Sequence, residues 1–145
     1  MNLIQTMLNP LFSSLCLKVI VSLNLVRQKL LFEVFHEAKP PKLVGRLEAT
    51  VGEIFGSPTN GLIRNLADEK NSDRGKLIIR CEKIEKGKRK TFMAKITAQN
   101  LPNFKWWWFF GGTNAFFRVF RKRKSDELLL YESEVVQNSV NPSWK

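Results

Sequence analysis

KLLFEVFH at positions 29–36, the turn Lys39-Pro40-Pro41 and a second apolar run at 43–51 decide the fold class. Both runs are rich in Leu, Val and Phe, and a turn signal separates them. The same grammar extends outward. Residues 15–25 are apolar, Gly61–Leu66 is a short run, Lys76–Lys83 holds Leu77-Ile78-Ile79 between charges, and Thr91–Ala98 alternates in part. Ala115–Phe120 and Leu128–Val136 complete the set, with turns at 56–61, 71–75 and Gly111-Gly112. Short strands at this spacing predict an all-β sandwich or barrel. The one helical competitor, Ala49–Phe55, is brief and contains Gly52.

Residues 106–110 read Trp106-Trp107-Trp108-Phe109-Phe110. Successive side chains of an extended chain point to opposite faces, so five aromatics in a row do not all enter one core. An exposed apolar patch marks a partner or a membrane. Arg118 and the run Arg121-Lys122-Arg123-Lys124 follow.

The chain has 145 residues, enough for one domain with a core. Hydrophobic residues make up 43% and charged ones 26%, a globular balance. The net charge is +11, and it is unevenly spread. From Lys86 to Ser125 there are eleven Lys or Arg and no Asp or Glu, while the other thirteen basic residues balance the 13 acidic ones. The positive excess thus lies in the segment with the aromatic run, which points to phosphates, anionic lipids or acidic proteins.

Cys16 and Cys81 are far apart and in no metal-binding spacing; they read as small apolar residues in a reducing compartment. Residues 11–26 are too short to span a membrane and Lys18 interrupts them, and no charged region precedes them as in a secretory signal. The expected location is cytoplasmic, peripheral to a membrane.

The two ends echo each other. Residues 2–12 read NLIQTMLNPLF and residues 134–144 read EVVQNSVNPSW, matching Gln5 with Gln137, Asn9-Pro10 with Asn141-Pro142, and Phe12 with Trp144. The chain thus begins and ends at the same point of a repeated module.

These residues carry a family resemblance. Trp108–Phe116 and Glu134–Trp144, the latter reading Glu-Val-x-x-Asn-x-x-Asn-Pro-x-Trp, resemble the early part of a C2 domain, in particular the second one of the copines. Asn9–Phe12, KLLFEVF at 29–35, VGRLEATVGEIFG at 44–56 and RGKLII at 74–79 resemble the later part of the preceding copine domain. The resemblance implies an antiparallel Greek-key sandwich. Residues 1–85 would supply the later strands of one domain and residues 86–145 the early strands of the next. The expectation is one composite, circularly permuted sandwich over 1–145; two unfinished half-domains are the alternative.

Domains of this family bind calcium through loop aspartates. The positions that resemblance assigns to them are Trp108, Asn114, His36 and Ala38, with Lys42 near a further one. None is a carboxylate, and Glu37 stands alone among lysines. Calcium takes six to eight oxygen ligands, so the module is expected to bind no calcium. A lone His36 at a strand end reads as a polar surface residue rather than a metal ligand. No cofactor is expected.

The resemblance places the aromatic run where C2 loops approach a bilayer. Trp suits the interface, since its ring is apolar and its N–H stays wet. Full burial of a large aromatic is worth about 4 kcal/mol, and each basic residue near an anionic leaflet adds about 1 kcal/mol. Trp106 to Phe110 with Arg118, Arg121, Lys122, Arg123 and Lys124 are therefore the expected contacts of a calcium-independent module on anionic phospholipid. The alternative is a structural protein-interaction subunit using the same surface, because Trp and Arg also dominate interface hot spots. Nucleic acid is disfavoured: the aromatics are consecutive rather than spaced along a sheet face. Catalysis is not expected either. With one His no Ser-His-Asp set can be assembled, and Gly111-Gly112 lacks the rest of a phosphate loop.

Overall fold

A computed structural model describes the backbone at residues 4–6, 15–19, 26–86, 89–104 and 112–144, with side chains at 26–82, 93–104 and 112–144. The elements are β1 (Ile4–Thr6), β2 (Leu15–Val19), β3 (Lys29–His36), β4 (Lys42–Thr50), α1 (Val51–Phe55), β5 (Leu62–Ala67), β6 (Asp73–Lys86), β7 (Arg89–Gln99), β8 (Ala115–Lys122) and β9 (Glu127–Glu132). The fold is all-β, as the runs and turns imply. Every ladder is antiparallel, and the strand order is β1-β2-β7-β6-β5-β4-β3-β8-β9.

This one sheet is curled on itself. Alternate residues of β3 (Leu30, Phe32, Val34) and β8 (Ala115, Phe117, Val119) share a buried cluster with Leu77 and Ile79 of β6 and with Ala94, Ile96 and Ala98 of β7. Period-two alternation puts those side chains on one face of each strand, and the curl brings the two faces together as in a C2-like sandwich. The sheet turns between β4 and β5, whose ladder holds the single pair Arg46↔Ala67. Gly45 sits at that corner: a Cβ there would stand 2.9 Å from the Leu66 Cβ and 3.1 Å from that of Arg74. Only glycine lets the two layers approach so closely.

Two expectations need correcting. The run at 43–51 does not continue as strand to Val51; the chain turns into α1. A capping box forces the change. Thr50 Oγ1 accepts from the Glu53 N–H at 3.1 Å, and Glu53 Oε2 accepts from the Thr50 N–H at 2.7 Å. Two backbone donors are thereby satisfied, and Val51 and Ile54 face the core. The expected run 128–136 also ends early, at Glu132. Ser133 is buried there, its hydroxyl accepting from the Phe117 N–H at 2.9 Å, and Val136 resumes pairing with Ala115.

Besides the β6–β7 ladder at their junction, the two halves of the chain meet in two places. β3 lies beside β8 from Leu30↔Arg121 to His36↔Ala115, and β2 lies beside β7 at Leu15↔Ala94 to Leu17↔Phe92. Further along the same edge of β7, Ser143 bridges Thr97, the Ala98 N–H donates to the Pro142 carbonyl at 3.0 Å, and the Leu101 N–H donates to that of Val140 at 2.9 Å. The Asn-Pro-x-Trp signature is therefore an internal latch. Trp144 is 3% exposed, meets Phe117 edge-on at 4.9 Å, and donates its indole N–H to the Ala115 carbonyl at 3.1 Å. Cys81 is an inert thiol, pushed up to about 11 by burial. Among the described residues no helix is long and apolar enough to cross a membrane.

Candidate functional site

The end of β3 and the start of β8 are neighbours in the sheet, so the loops that leave them share one end of the molecule. His36 closes β3, and Asn114 immediately precedes β8. The Asn114 N–H donates to His36 Nδ1 at 3.1 Å, and the Glu37 N–H donates to the Asn114 carbonyl at 2.8 Å. The Asn114 side-chain oxygen in turn accepts from the Asn138 N–H at 3.0 Å. The His36 ring lies nearly parallel to Phe104, with 5.1 Å between centroids and 11° between planes. The Gly112 N–H donates to Asn103 Oδ1 at 2.9 Å, and the Thr113 hydroxyl donates to the Pro102 carbonyl. Phe104 and Gly112 are thus pinned on either side of 105–111.

His36 and Asn114, two positions that the resemblance assigns to calcium ligands, are brought together; Ala38 is two residues from His36. Trp108, with Trp106, Trp107, Phe109 and Phe110, lies outside the described residues. The donor set does not fit a calcium ion. His36 Nδ1 and the Asn114 amide oxygen each accept a hydrogen bond within the protein, and the Ala38 side chain has no donor atom. The segment 105–111 contains no carboxylate. Among the described residues no three His, Cys, Asp or Glu side chains cluster around a common point. Calcium would need several hard oxygen ligands, and the described side chains at this end do not gather them. What this end does have is hydrogen bonds and ring stacking that hold the loop bases directly.

The basic residues divide into two groups. Arg118 lies mid-strand on the outer face of the sheet. Its guanidinium stands 5.0 Å from the Phe35 ring centre and 5.4 Å from that of Phe116, and those rings stack on each other at 5.4 Å. Its Nε also donates to Glu132 at 2.6 Å. Arg46, Glu33, Arg118 and Glu132 lie opposite one another on β4, β3, β8 and β9, so charge alternates across four strands. Burial pushes the Glu33 carboxyl up, with Arg46 pulling it back. Opposite charges facing across strands support the sheet, so Arg118 is a structural residue as well as a surface cation.

Arg121, Lys122, Arg123 and Lys124 lie at the other end of β8. Seven steps of about 3.3 Å separate Ala115 from Lys122, roughly 23 Å. The aromatic run and this cluster are near in sequence, yet the residues that flank the run, Phe104 and Gly112, sit at the opposite end of β8 from the cluster. Lys122 Nζ pairs with Glu48, a contact that raises the Lys122 pKa. Arg123 pairs with Asp126 at 3.7 Å, and the Arg121 Nε donates to Gln28 Oε1 at 3.0 Å. Lys124 is exposed and makes no ion pair among the described residues. Sequence reasoning missed the residues facing this cluster, Arg27, Gln28 and Lys29, which line an open groove of about 480 Å³ with Lys122, Arg123 and Lys124. The only sequence signal for them was a short basic tripeptide ahead of a strand.

No protein-family model and no solved structure matches the chain significantly. Among curated proteins, Copine-B of Dictyostelium discoideum is 26% identical over 103 residues, covering 71% of this chain and 18% of that protein. The chain therefore spans about a fifth of the curated relative. The likeness is distant; with the antiparallel curled sheet it supports a relation to copine-like C2 modules.

Proposed function

We propose that this chain is a non-catalytic C2-like module that docks on anionic phospholipid membranes without calcium. The observation that carries the reading is the His36–Asn114 contact. It joins the two loop bases where related domains hold metal, and it leaves no oxygen cage for an ion. The segment between Phe104 and Gly112 supplies Trp106, Trp107, Trp108, Phe109 and Phe110 instead, residues suited to the membrane interface. Basic residues on β8 and after it add attraction to an anionic leaflet. Because Phe104 and Gly112, which flank the aromatic run, sit at the opposite end of β8 from residues 121–124, docking proceeds either through the aromatic run with weak electrostatic help, or with the long side of the sheet lying along the surface.

The test is replacement of Trp106, Trp107 and Trp108 by Ala. Binding to phosphatidylserine vesicles should fall at least tenfold while the melting temperature stays within a degree or two. Unchanged vesicle binding by the variant would sink the reading. A second reading, contact with a protein partner, is favoured by edge strand β9, where Leu128 and Leu129 are 41% and 49% exposed. Exposed apolar residues on an open edge invite pairing with another chain.

A further inference from the structure

The β8–β9 hairpin turns at residues 123–126, where the Arg123 N–H donates to the Asp126 carbonyl at 2.9 Å. Ser125 sits at the tip. It is exposed, and its hydroxyl makes no hydrogen bond among the described residues. Arg121-Lys122-Arg123-Lys124 immediately precede it. The other exposed hydroxyls among the described residues lack this setting. Thr59 and Ser143 have no basic residue in the four positions before them, and Ser72 has Lys70 alone. Thr91 also follows three basic residues, but its backbone is held in the β6–β7 ladder opposite Ile84. Ser125 belongs to no ladder. Drawing out Lys122 to Asp126 as an extended peptide breaks the rung Lys122↔Glu127, the Gln28 bond to the Lys122 carbonyl and the Lys122–Glu48 pair. These contacts lie at the end of an edge hairpin, where local opening takes little free energy.

A second observation concerns what surrounds the tip. Residues 122–124 run beside residues 27–29, and the groove between them is lined by five cations, one amide and no carboxylate. Arg27, Lys29 and Lys124 are exposed and make no ion pair among the described residues. We propose that Ser125 is phosphorylated by a protein kinase that reads basic residues ahead of its target, and that the cations of this groove hold the phosphate. Lys122 and Arg123 stand three and two residues before the hydroxyl, where an acidic kinase cleft meets them. The γ-phosphoryl of ATP passes to Ser125 Oγ. Its bond to the β-phosphate oxygen breaks, one O–P bond forms, ADP leaves, and the hydroxyl proton goes to the kinase's catalytic carboxylate. The product carries a charge of about −1.5 to −2 at pH 7 and three acceptor oxygens. Charge-assisted bonds from guanidinium and ammonium groups are the stronger kind, so the phosphate ties the hairpin tip to the segment entering β3. The site stands apart from the membrane reading; its effect on docking rests on that reading. Negative charge placed among cations that face an anionic leaflet opposes binding.

The test incubates the full chain with ATP, magnesium and the catalytic subunit of cyclic-AMP-dependent protein kinase, a kinase selective for basic residues ahead of its target. Mass spectrometry then maps the product. One phosphate on Ser125 is expected, absent from Ser125→Ala. An unmodified Ser125, with or without phosphate elsewhere, would overturn the proposal. At low salt the phosphorylated chain should melt about 2–4 °C above the unmodified one. That gain should vanish in the double variant Arg27→Gln, Lys29→Gln, whose side chains are exposed and carry no ion pair among the described residues. No gain, or a gain that the variant retains, would overturn the groove as the holder of the phosphate. Cosedimentation with phosphatidylserine vesicles separates this proposal from the membrane reading. Binding about tenfold weaker after phosphorylation is expected. Equal binding by the two forms would overturn the effect on docking. Binding by neither form would sink the membrane reading, while a phosphate mapped to Ser125 would still uphold the site.

Discussion

The backbone N–H of Asn114 donates to Nδ1 of His36 across 3.1 Å, tying the start of β8 to the end of β3. Both are positions that the resemblance to C2 domains assigns to metal-binding aspartates. The bond needs a lone pair on Nδ1, so the imidazole does in neutral form what a cation bridging two carboxylates would do. Replacing His36 by Ala removes this acceptor and the stacking surface under Phe104. A loss of about 1–2 kcal/mol is expected, with faster hydrogen exchange at the Asn114 amide. Unchanged exchange there would show that other contacts hold the loop.

Trp144 joins the latch to the core through its edge contact with Phe117 and its bond to the Ala115 carbonyl. Trp144→Ala should cost about 3–5 kcal/mol in chemical denaturation. Trp144→Phe should cost less, because it keeps an aromatic ring in the core and the Ala115 carbonyl retains its bond from the Val136 N–H at 2.8 Å. Equal losses would show that the indole N–H matters more than its packing.

Thr50→Ala should cost about 1 kcal/mol by removing the cap of α1, measurable by thermal melting. This helix also shows what was legible and what was not. Strand runs such as 29–36 and 115–120 stand out in sequence because both carry apolar residues through their length. The signal for α1 was present as Thr50-x-x-Glu53, but five residues containing Gly52 are too few for periodicity to reveal. At the site, sequence shows that carboxylates are missing from His36, Ala38 and Asn114. It does not show that His36 and Asn114 touch, because that depends on β3 and β8 pairing across about 80 residues. Sequence reading also took residues 121–124 and the aromatic run as one surface, although the strand it expected at 115–120 already stands between them.

Two carboxylates contribute to the acid limb of stability. The Asp68 carboxyl is held at about 2, first by the Ser72 N–H, then by Arg74 and the Lys70 N–H. Glu53 is held at about 2 by the Thr50 N–H and by Arg64. Both bind protons more weakly folded than at their ordinary values of 3.8 and 4.5. As pH falls below about 4.5 the unfolded chain takes up these protons first, so stability declines and continues to fall toward pH 2. Asp68→Asn should lower stability at neutral pH and flatten the decline between pH 4 and 2. A variant with an unaltered acid slope would remove Asp68 from the explanation.

The β3–β8, β2–β7 and β6–β7 ladders join residues 1–85 to residues 86–145, and we propose that the two halves form one composite sandwich. Expressed separately, each half should be unfolded and aggregation-prone, because its strand edges lack partners. Mixing should restore a cooperative melt. Two halves that fold independently would contradict a composite domain.

Calcium-free docking is tested most directly by cosedimentation of the native chain with phosphatidylserine vesicles, run in parallel with millimolar calcium and with chelator. Equal binding in both, absent from phosphatidylcholine vesicles and weakened by salt, is the expected result. Binding that requires calcium would contradict the proposed role.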